Sequence, residues 1–147
     1  MGMDVYGKAA HSEEGKYFRN NVWSWRPLAT YCQDVAPVIA AHCVAWQTND
    51  GLGLNNEHSL ALAAVLQEEL RSGRTEAYEK AFDAKLKALP LQRCLGCSGT
   101  GLRQGKDCGS CKGTGKVEHT DCWYSFTVEN VEGWVTFLEH CGGFEIC

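Results

Sequence analysis

Two copies of one eight-residue unit limit what this chain can fold into more than anything else in it. Cys94-Leu-Gly-Cys97-Ser-Gly-Thr-Gly101 and Cys108-Gly-Ser-Cys111-Lys-Gly-Thr-Gly115 stand in register, fourteen residues apart. The surrounding residues 91–117 are rich in glycine and poor in apolar side chains. A segment of that composition cannot bury enough surface to fold by itself, so something else must hold it. Each Cys-x-x-Cys pair makes a tight knuckle. The glycines that follow permit the positive φ and close backbone approach a knuckle needs. Four thiolates around one Zn²⁺ form a closed tetrahedral site with no position left for water, so the spacing predicts a structural zinc held by Cys94, Cys97, Cys108 and Cys111. The binding free energy of such a site is folding free energy, on the order of 10 kcal/mol. A redox dithiol would place one pair at a helix start, not two pairs in glycine-rich loops.

The rest of the composition bounds the setting. A chain of 147 residues suits one compact domain or a domain plus a small module. Its nine cysteines are odd in number, so paired disulfides would leave a thiol over. Residues 1–11 lack the apolar run of a secretory signal, and Tyr6 stands where a myristoylation site wants Ser or Thr. The longest mostly apolar stretch, residues 35–46, contains Pro37 and His42 and is too short to span a membrane. The expectation is an intracellular protein whose cysteines bind metal or lie buried as thiols.

Charge is unevenly spread. Residues 1–90 carry nine Lys/Arg against eleven Asp/Glu. Residues 91–117 carry five cations (Arg93, Arg103, Lys106, Lys112, Lys116) against Asp107. Residues 118–147 carry six acids and no Lys or Arg. A basic middle beside an acidic tail predicts that the two pack together, and it argues against a general nucleic-acid binder.

The periodicities predict an α+β fold, mainly helical. Residues 1–31 hold six aromatics in irregular chain, with a short extended segment over 22–26 where Val22, Ser24 and Arg26 alternate with Trp23 and Trp25. A first helix is expected over 35–47, capped by Asp34 with Pro37 in its first turn. A second is expected over 57–72 with Gly73 as its stop, and a third from Thr75 to Pro90 on a Tyr78, Phe82, Leu86, Leu89 stripe. Residues 123–126 read as a strand, Thr127 as the cap of a helix bearing Val131, Trp134, Val135 and Leu138, and residues 144–147 as a last short strand. The expected organisation is therefore an aromatic segment and three-helix region over 1–90, a zinc hairpin inserted over 91–117, and an acidic strand–helix–strand over 118–147 packing on the N-terminal region.

The repeat resembles the cysteine-rich module of DnaJ-type chaperones, whose unit is CxxCxGxG. The match covers residues 94–115 only, and every motif position fits. Such chaperones usually carry four units and two zincs, so the resemblance implies a half-module with one zinc. The three prolines follow Arg26, Ala36 and Leu89, so the His-Pro-Asp triplet of a J-domain is missing and stimulation of a chaperone ATPase is not implied. A second resemblance spans most of the chain. Asp4-Val-Tyr6-Gly7, Tyr17-Phe18-Arg19-Asn20-Asn21-Val-Trp23-Ser-Trp25-Arg26-Pro27 and Cys141-Gly-Gly-Phe144-Glu145-Ile-Cys147 look like a family of small uncharacterised phage and prophage proteins. That implies an accessory protein acting in a bacterial cytoplasm, with no activity to transfer.

Other residues carry weaker signals. His119 and Cys122, with His140 and Cys141, have spacing that permits a second metal site, although Cys141 falls on an apolar helix face. Cys32, Cys43 and Cys147 read as buried thiols. His42 and Cys43 are adjacent on a helix and point apart, against a Cys–His catalytic pair. Asn49-Asp50-Gly51-Leu52-Gly53 fails as a calcium loop because Trp46 or Leu52 falls where an oxygen ligand belongs. Arg19, Asn20, Asn21, Trp23, Trp25 and Arg26 form the densest polar-aromatic cluster outside the zinc module. Guanidinium on phosphate and indole on a base would hold a nucleotide there, with Glu129, Asn130 and Glu145 as candidates to complete the site; the competing expectation is that the Trp pair fills the core. No catalytic residues are identified. The functional expectation is a non-enzymatic, zinc-stabilised phage accessory protein that binds or sequesters a host protein or a nucleotide-like signalling ligand, in the manner of counter-defence. The alternatives are a DnaJ-like binder of unfolded chains and a zinc-finger nucleic-acid binder.

Overall fold

A computed structural model describes residues 2–147. The chain divides into two compact units: residues up to Phe82 together with Tyr124–Cys147, and Asp83–Trp123.

The first unit is built on a three-stranded antiparallel sheet, order β2-β1-β7, from β1 (Gly2–Gly7), β2 (Tyr17–Asn21) and β7 (Phe144–Ile146). Val5 lies opposite Phe18 on one side and Ile146 on the other. Met3, Val5, Phe144 and Ile146 turn inward by the period-two rule and are buried. The outer edge of β7 is not bare: the N–H groups of Phe144 and Ile146 donate to the carbonyls of Leu54 and Leu52, each at 2.9 Å. Helices α1 (Val22–Val35), α3 (Asn56–Arg71) and α5 (Val128–His140) supply the rest of the core, with the short α2 (Pro37–Ala40) after α1. Helix α5 packs along α3. Three tryptophans, Trp25, Trp46 and Trp134, sit at the centre, with Phe137 and Phe144 against Trp134. The indole N–H of Trp25 donates to the Trp46 carbonyl at 2.6 Å, and that of Trp46 to the Ala40 carbonyl at 2.9 Å, so neither buried donor is stranded.

The mixed α+β class holds, but strands β1 and β2 replace the irregular chain expected over residues 1–31, and there are three further corrections. Residues 22–26 are helical rather than extended. Asn21 caps α1 by accepting the Ser24 N–H at 2.9 Å. Trp25, Leu28, Ala29 and Cys32 then form the buried stripe, at helical spacing. Pro27 is tolerated inside α1 because the Trp23 carbonyl, which its missing N–H would have served, accepts the Ser125 N–H at 3.2 Å. The helix expected over 35–47 is the second correction. Val35 closes α1 and only Pro37–Ala40 is helical beyond it; Ala36, restricted by the proline after it, separates the two at φ −135°, ψ 55°. Turns follow, and they bury Cys43 and Trp46. Third, no strand forms at 123–126: Thr120–Trp123 is a 3₁₀ turn, so the C-terminal piece is helix then strand. The other two helices are close to expectation. Asn55 caps α3 by accepting the His58 N–H, and Gly73 at φ +81° ends it. Helix α4 (Arg74–Lys87) begins a residue early, so Thr75 is no cap. Its buried hydroxyl shares a 3.0 Å hydrogen bond with the Tyr31 hydroxyl.

Burial of Cys32 within this core has a measurable consequence. Desolvation pushes its thiol from the ordinary 9.0 up to about 12. The folded state thus retains a proton that the unfolded chain gives up near pH 9. This contribution is fully present below pH 9 and is lost as pH rises from 9 toward 12. Urea unfolding at stepped alkaline pH should show that decline, and Cys32→Ala should make it shallower, the remainder coming from Cys43 and Cys141, whose thiols burial also raises. A wild-type curve flat to pH 11 would contradict the burial.

The second unit begins in the last turns of α4 and ends with the 3₁₀ turn, so it is wider than residues 91–117. Inside it the Cys122 thiol donates to the Leu86 carbonyl at 3.6 Å. It contains two short antiparallel ladders: β3 (Gln92–Arg93) with β6 (Lys116–Val117), and β4 (Leu102–Arg103) with β5 (Lys106–Asp107). Among the described residues no helix is long and apolar enough to cross a membrane.

Candidate metal centre

The two Cys-x-x-Cys units fold as near copies of each other. The N–H of Cys94 donates to the Gly115 carbonyl at 2.9 Å, and that of Cys108 to the Gly101 carbonyl at 2.8 Å, so each knuckle begins where the other ends. Thr100 and Thr114 donate their hydroxyls to the carbonyls of Cys97 and Cys111, both at 2.7 Å, and their backbone N–H groups reach the same carbonyls at 3.1 Å. These threonines pin each turn. The sequence reading assigned them nothing, although both repeats carry Thr between the two glycines. Ser98 and Lys112, which follow the second cysteine of each pair, stand at φ 53° and 51°.

The knuckles bring four sulfurs together. Cys94 Sγ lies 3.9 Å from Cys108 Sγ, and Cys97 Sγ lies 3.7 Å from Cys111 Sγ. All four Sγ atoms fall within 4.8 Å of one another, and all four side chains are buried. Zinc–sulfur bonds of about 2.3 Å in a tetrahedron require S···S edges of about 3.8 Å. A disulfide would require about 2.05 Å. The four cysteines are therefore unpaired and spaced to hold one metal ion.

Electrostatics point the same way. The N–H of Gly101 donates to Cys97 Sγ and that of Gly115 to Cys111 Sγ, each at 3.2 Å. Desolvation raises the Cys97 thiol, but the Gly101 N–H and the neighbouring thiols outweigh it and hold it at about 6. The N–H groups of Cys111 and Ser110 lower the Cys108 thiol. Burial pushes Cys94 up to about 11. Four adjacent thiols cannot all ionise unaided, because like charges disfavour one another, and a cation bound among them would take the place of the protons.

The glycines set the backbone tolerance. Gly101 stands at φ +77°, and a Cβ there would lie 2.3 Å from the Gly113 carbonyl oxygen. Gly115 repeats this at φ +73° and 2.4 Å from the Gly99 oxygen. Gly109 has no atom within 4 Å of such a Cβ and no positive φ. Gly101→Ala should therefore weaken metal affinity by at least about tenfold, since the left-handed conformation alone costs an L-residue about 1–2 kcal/mol. Gly109→Ala should leave affinity unchanged. Competition against a chromophoric chelator measures both, and equal affinities in the two variants would contradict the knuckle geometry.

The other candidates do not assemble. His119 Nδ1 accepts the Asp121 N–H at 3.2 Å. Cys141 is buried in the first unit's core and donates to the Leu138 carbonyl at 3.5 Å. Among the described residues, the four cysteines are the one group of three or more potential ligands close enough to hold an ion. Cys32 and Cys43 are buried and Cys147 is exposed. The ring of His42 stacks on His58, with centroids 3.8 Å apart, not on a thiol.

The six residues from Arg19 to Arg26 are dispersed by secondary structure. On β2, Arg19 and Asn20 face opposite sides of the sheet. Arg19 pairs with Asp4 at 3.6 Å, and Asn20 donates to the Asn130 side chain at 3.0 Å. Asn21 is the helix cap. Trp25 is fully buried and offers no face to a ligand. Arg26 donates to the Tyr124 hydroxyl at 2.9 Å, and Trp23 meets the same ring edge-on at 4.9 Å. Period-two alternation over residues 22–26 would put both indoles on one side; the α1 helix separates them.

No family model, curated protein or solved structure matches the chain.

Proposed function

We propose that this chain is a zinc-stapled binding protein, not an enzyme. Cys94, Cys97, Cys108 and Cys111 would hold Zn²⁺ as thiolates. Bound there, the ion supplies cross-linking of two loops and no open coordination position. The observation that carries the binding reading is the composition of the Asp83–Trp123 unit. Its interior is the four cysteines with Val117 against them, while Leu91, Leu95, Leu102 and Trp123 stand 54–90 % exposed. A rigid metal-held frame that turns its large apolar side chains to solvent is suited to contact.

The resemblance to small phage proteins supplies the setting of the proposal: an accessory protein in a bacterial cytoplasm, capturing a host protein or a nucleotide-like signalling ligand in counter-defence. Native mass spectrometry of freshly purified, chelator-free protein tests it. One zinc per chain with a co-purifying small-molecule mass, or with a host protein retained through gel filtration, is the expected result. Zinc-free protein would overturn the staple.

The same exposed leucines favour one second reading, a DnaJ-like module for unfolded chains. It predicts that the zinc-loaded protein suppresses aggregation of a chemically denatured substrate at near-stoichiometric ratio. Aggregation unchanged by a tenfold excess would remove that reading.

A further inference from the structure

Beside the cysteine cluster, within the Asp83–Trp123 unit, lies a concavity of about 510 Å³. Arg93, Lys112, Lys116, Leu95 and Trp123 line it, with Glu118 its one acid. We propose that this concavity is a nucleotide-binding site, in which Trp123 stacks on the base and Arg93, Lys112 and Lys116 hold the phosphates. The inference rests on the ligand-capture reading and moves the expected site from the residues Arg19 to Arg26 to the zinc unit.

The charge arrangement is the first support. Arg93 and Lys116 lie directly opposite each other in the β3–β6 ladder. Like charges in that position destabilise a strand pair, and an anion between them reverses the sign. All three cations stand on rigid backbone. Arg93 Nε donates to the Ser98 carbonyl at 2.7 Å, which fixes the guanidinium stem. Lys112 follows Cys111 at φ 51° inside the knuckle. Lys116 follows Gly115, whose N–H meets Cys111 Sγ. A Zn²⁺ with four thiolates carries two negative charges and Glu118 one more, which offset the three cations in sum, so the attraction for phosphate rests on how Arg93, Lys112 and Lys116 are placed around the concavity.

The second support is the apolar part of the lining. Trp123 is 60 % exposed and Leu95 90 % exposed where they border the concavity. A site for inorganic phosphate has no use for them. An indole beside a cationic cluster offers stacking to a planar base and ion pairs to phosphate together. The volume lies in the range of small-molecule sites, about 300–1,000 Å³. A strand of nucleic acid would require successive aromatic platforms along a basic track, and one tryptophan serves one base.

The test uses the full-length, zinc-loaded protein and isothermal titration with ADP, GDP, CDP and UDP in low salt. At least one should bind at one per chain, with adenosine and inorganic phosphate each weaker by about tenfold or more, and affinity should fall as salt rises. Trp123→Ala and the double variant Lys112→Gln/Lys116→Gln should each weaken binding by about tenfold or more at unchanged zinc content. Lys106→Gln, outside the concavity, should bind as wild type. Nucleotide binding that survives both pocket variants would overturn this site while leaving ligand capture standing. No binding of any of the four would overturn the nucleotide assignment, and the mass-spectrometric test would still decide capture of another ligand. Tighter binding of a twelve-residue single-stranded oligonucleotide than of any diphosphate would overturn it in favour of a strand.

Discussion

Cys97→Ser should abolish metal binding and unfold residues 91–117 while the sheet-and-helix unit stays folded. The two units have separate interiors. One is the large apolar cluster around Trp25, Trp46 and Trp134; the other consists of the four cysteines with Val117 against them. Among the described residues only the half-buried Val117 packs on the thiols, too little apolar surface to replace the metal. Removing one ligand therefore removes most of a binding free energy on the order of 10 kcal/mol, far more than ladders of two residues per strand can supply. Hydrogen exchange reads this directly. The amides of Cys94, Gly101, Cys108 and Gly115, all donors within the knuckles, should lose protection on chelation or in Cys97→Ser. The amides of Phe144 and Ile146, paired to the 52–54 segment, should keep theirs. Loss of protection in both places would mean that the units fold as one. Retention in both would mean that the metal is dispensable.

Trp25→Ala should cost the first unit about 3–5 kcal/mol, the range for truncating a buried aromatic, against a total of about 5–15 kcal/mol for a domain. Trp25 has no exposed surface, meets Trp134 edge-on at 5.3 Å, and satisfies the Trp46 carbonyl through its N–H. The truncation thus opens a cavity and strands a buried acceptor together. Chemical denaturation should show the loss as a lower midpoint. Zinc content should not change, because the thiols belong to the other interior. A Trp25→Ala protein of wild-type stability would return Trp25 to the role of a ligand-facing indole.

The cysteine cluster was legible in the sequence because a tetrathiolate site is a local object. Spacing within each knuckle, glycine after it and repetition in register all lie inside 22 residues, and no distant contact is needed to interpret them. The long helices α3 and α5 were legible for a similar reason: each carries an apolar stripe and a local boundary signal, the Gly73 stop for α3 and the Thr127 cap for α5. The region around α1 was not. Trp23-Ser-Trp25-Arg26-Pro27 alternates like a strand and contains a helix breaker, and its helicity depends on a carbonyl partner, Ser125, roughly a hundred residues away. Tertiary context overrode local pattern there, and with the pattern went the grouping of Arg19 to Arg26 as one surface. The strand β1 was missed because only Met3 and Val5 face inward, too few to stand out among polar neighbours. The concavity beside Trp123 was invisible for the opposite reason. Its cations were counted as a basic segment, but only the register Arg93 opposite Lys116 shows which of them share a face.

The central claim is that four thiolates of one chain close around a single zinc. Zinc K-edge X-ray absorption of the purified, chelator-free protein tests it most directly. Four sulfur neighbours at about 2.3 Å, with no nitrogen or oxygen bound to the zinc, are expected. A first shell containing nitrogen or oxygen would show an open or mixed site and contradict the structural staple.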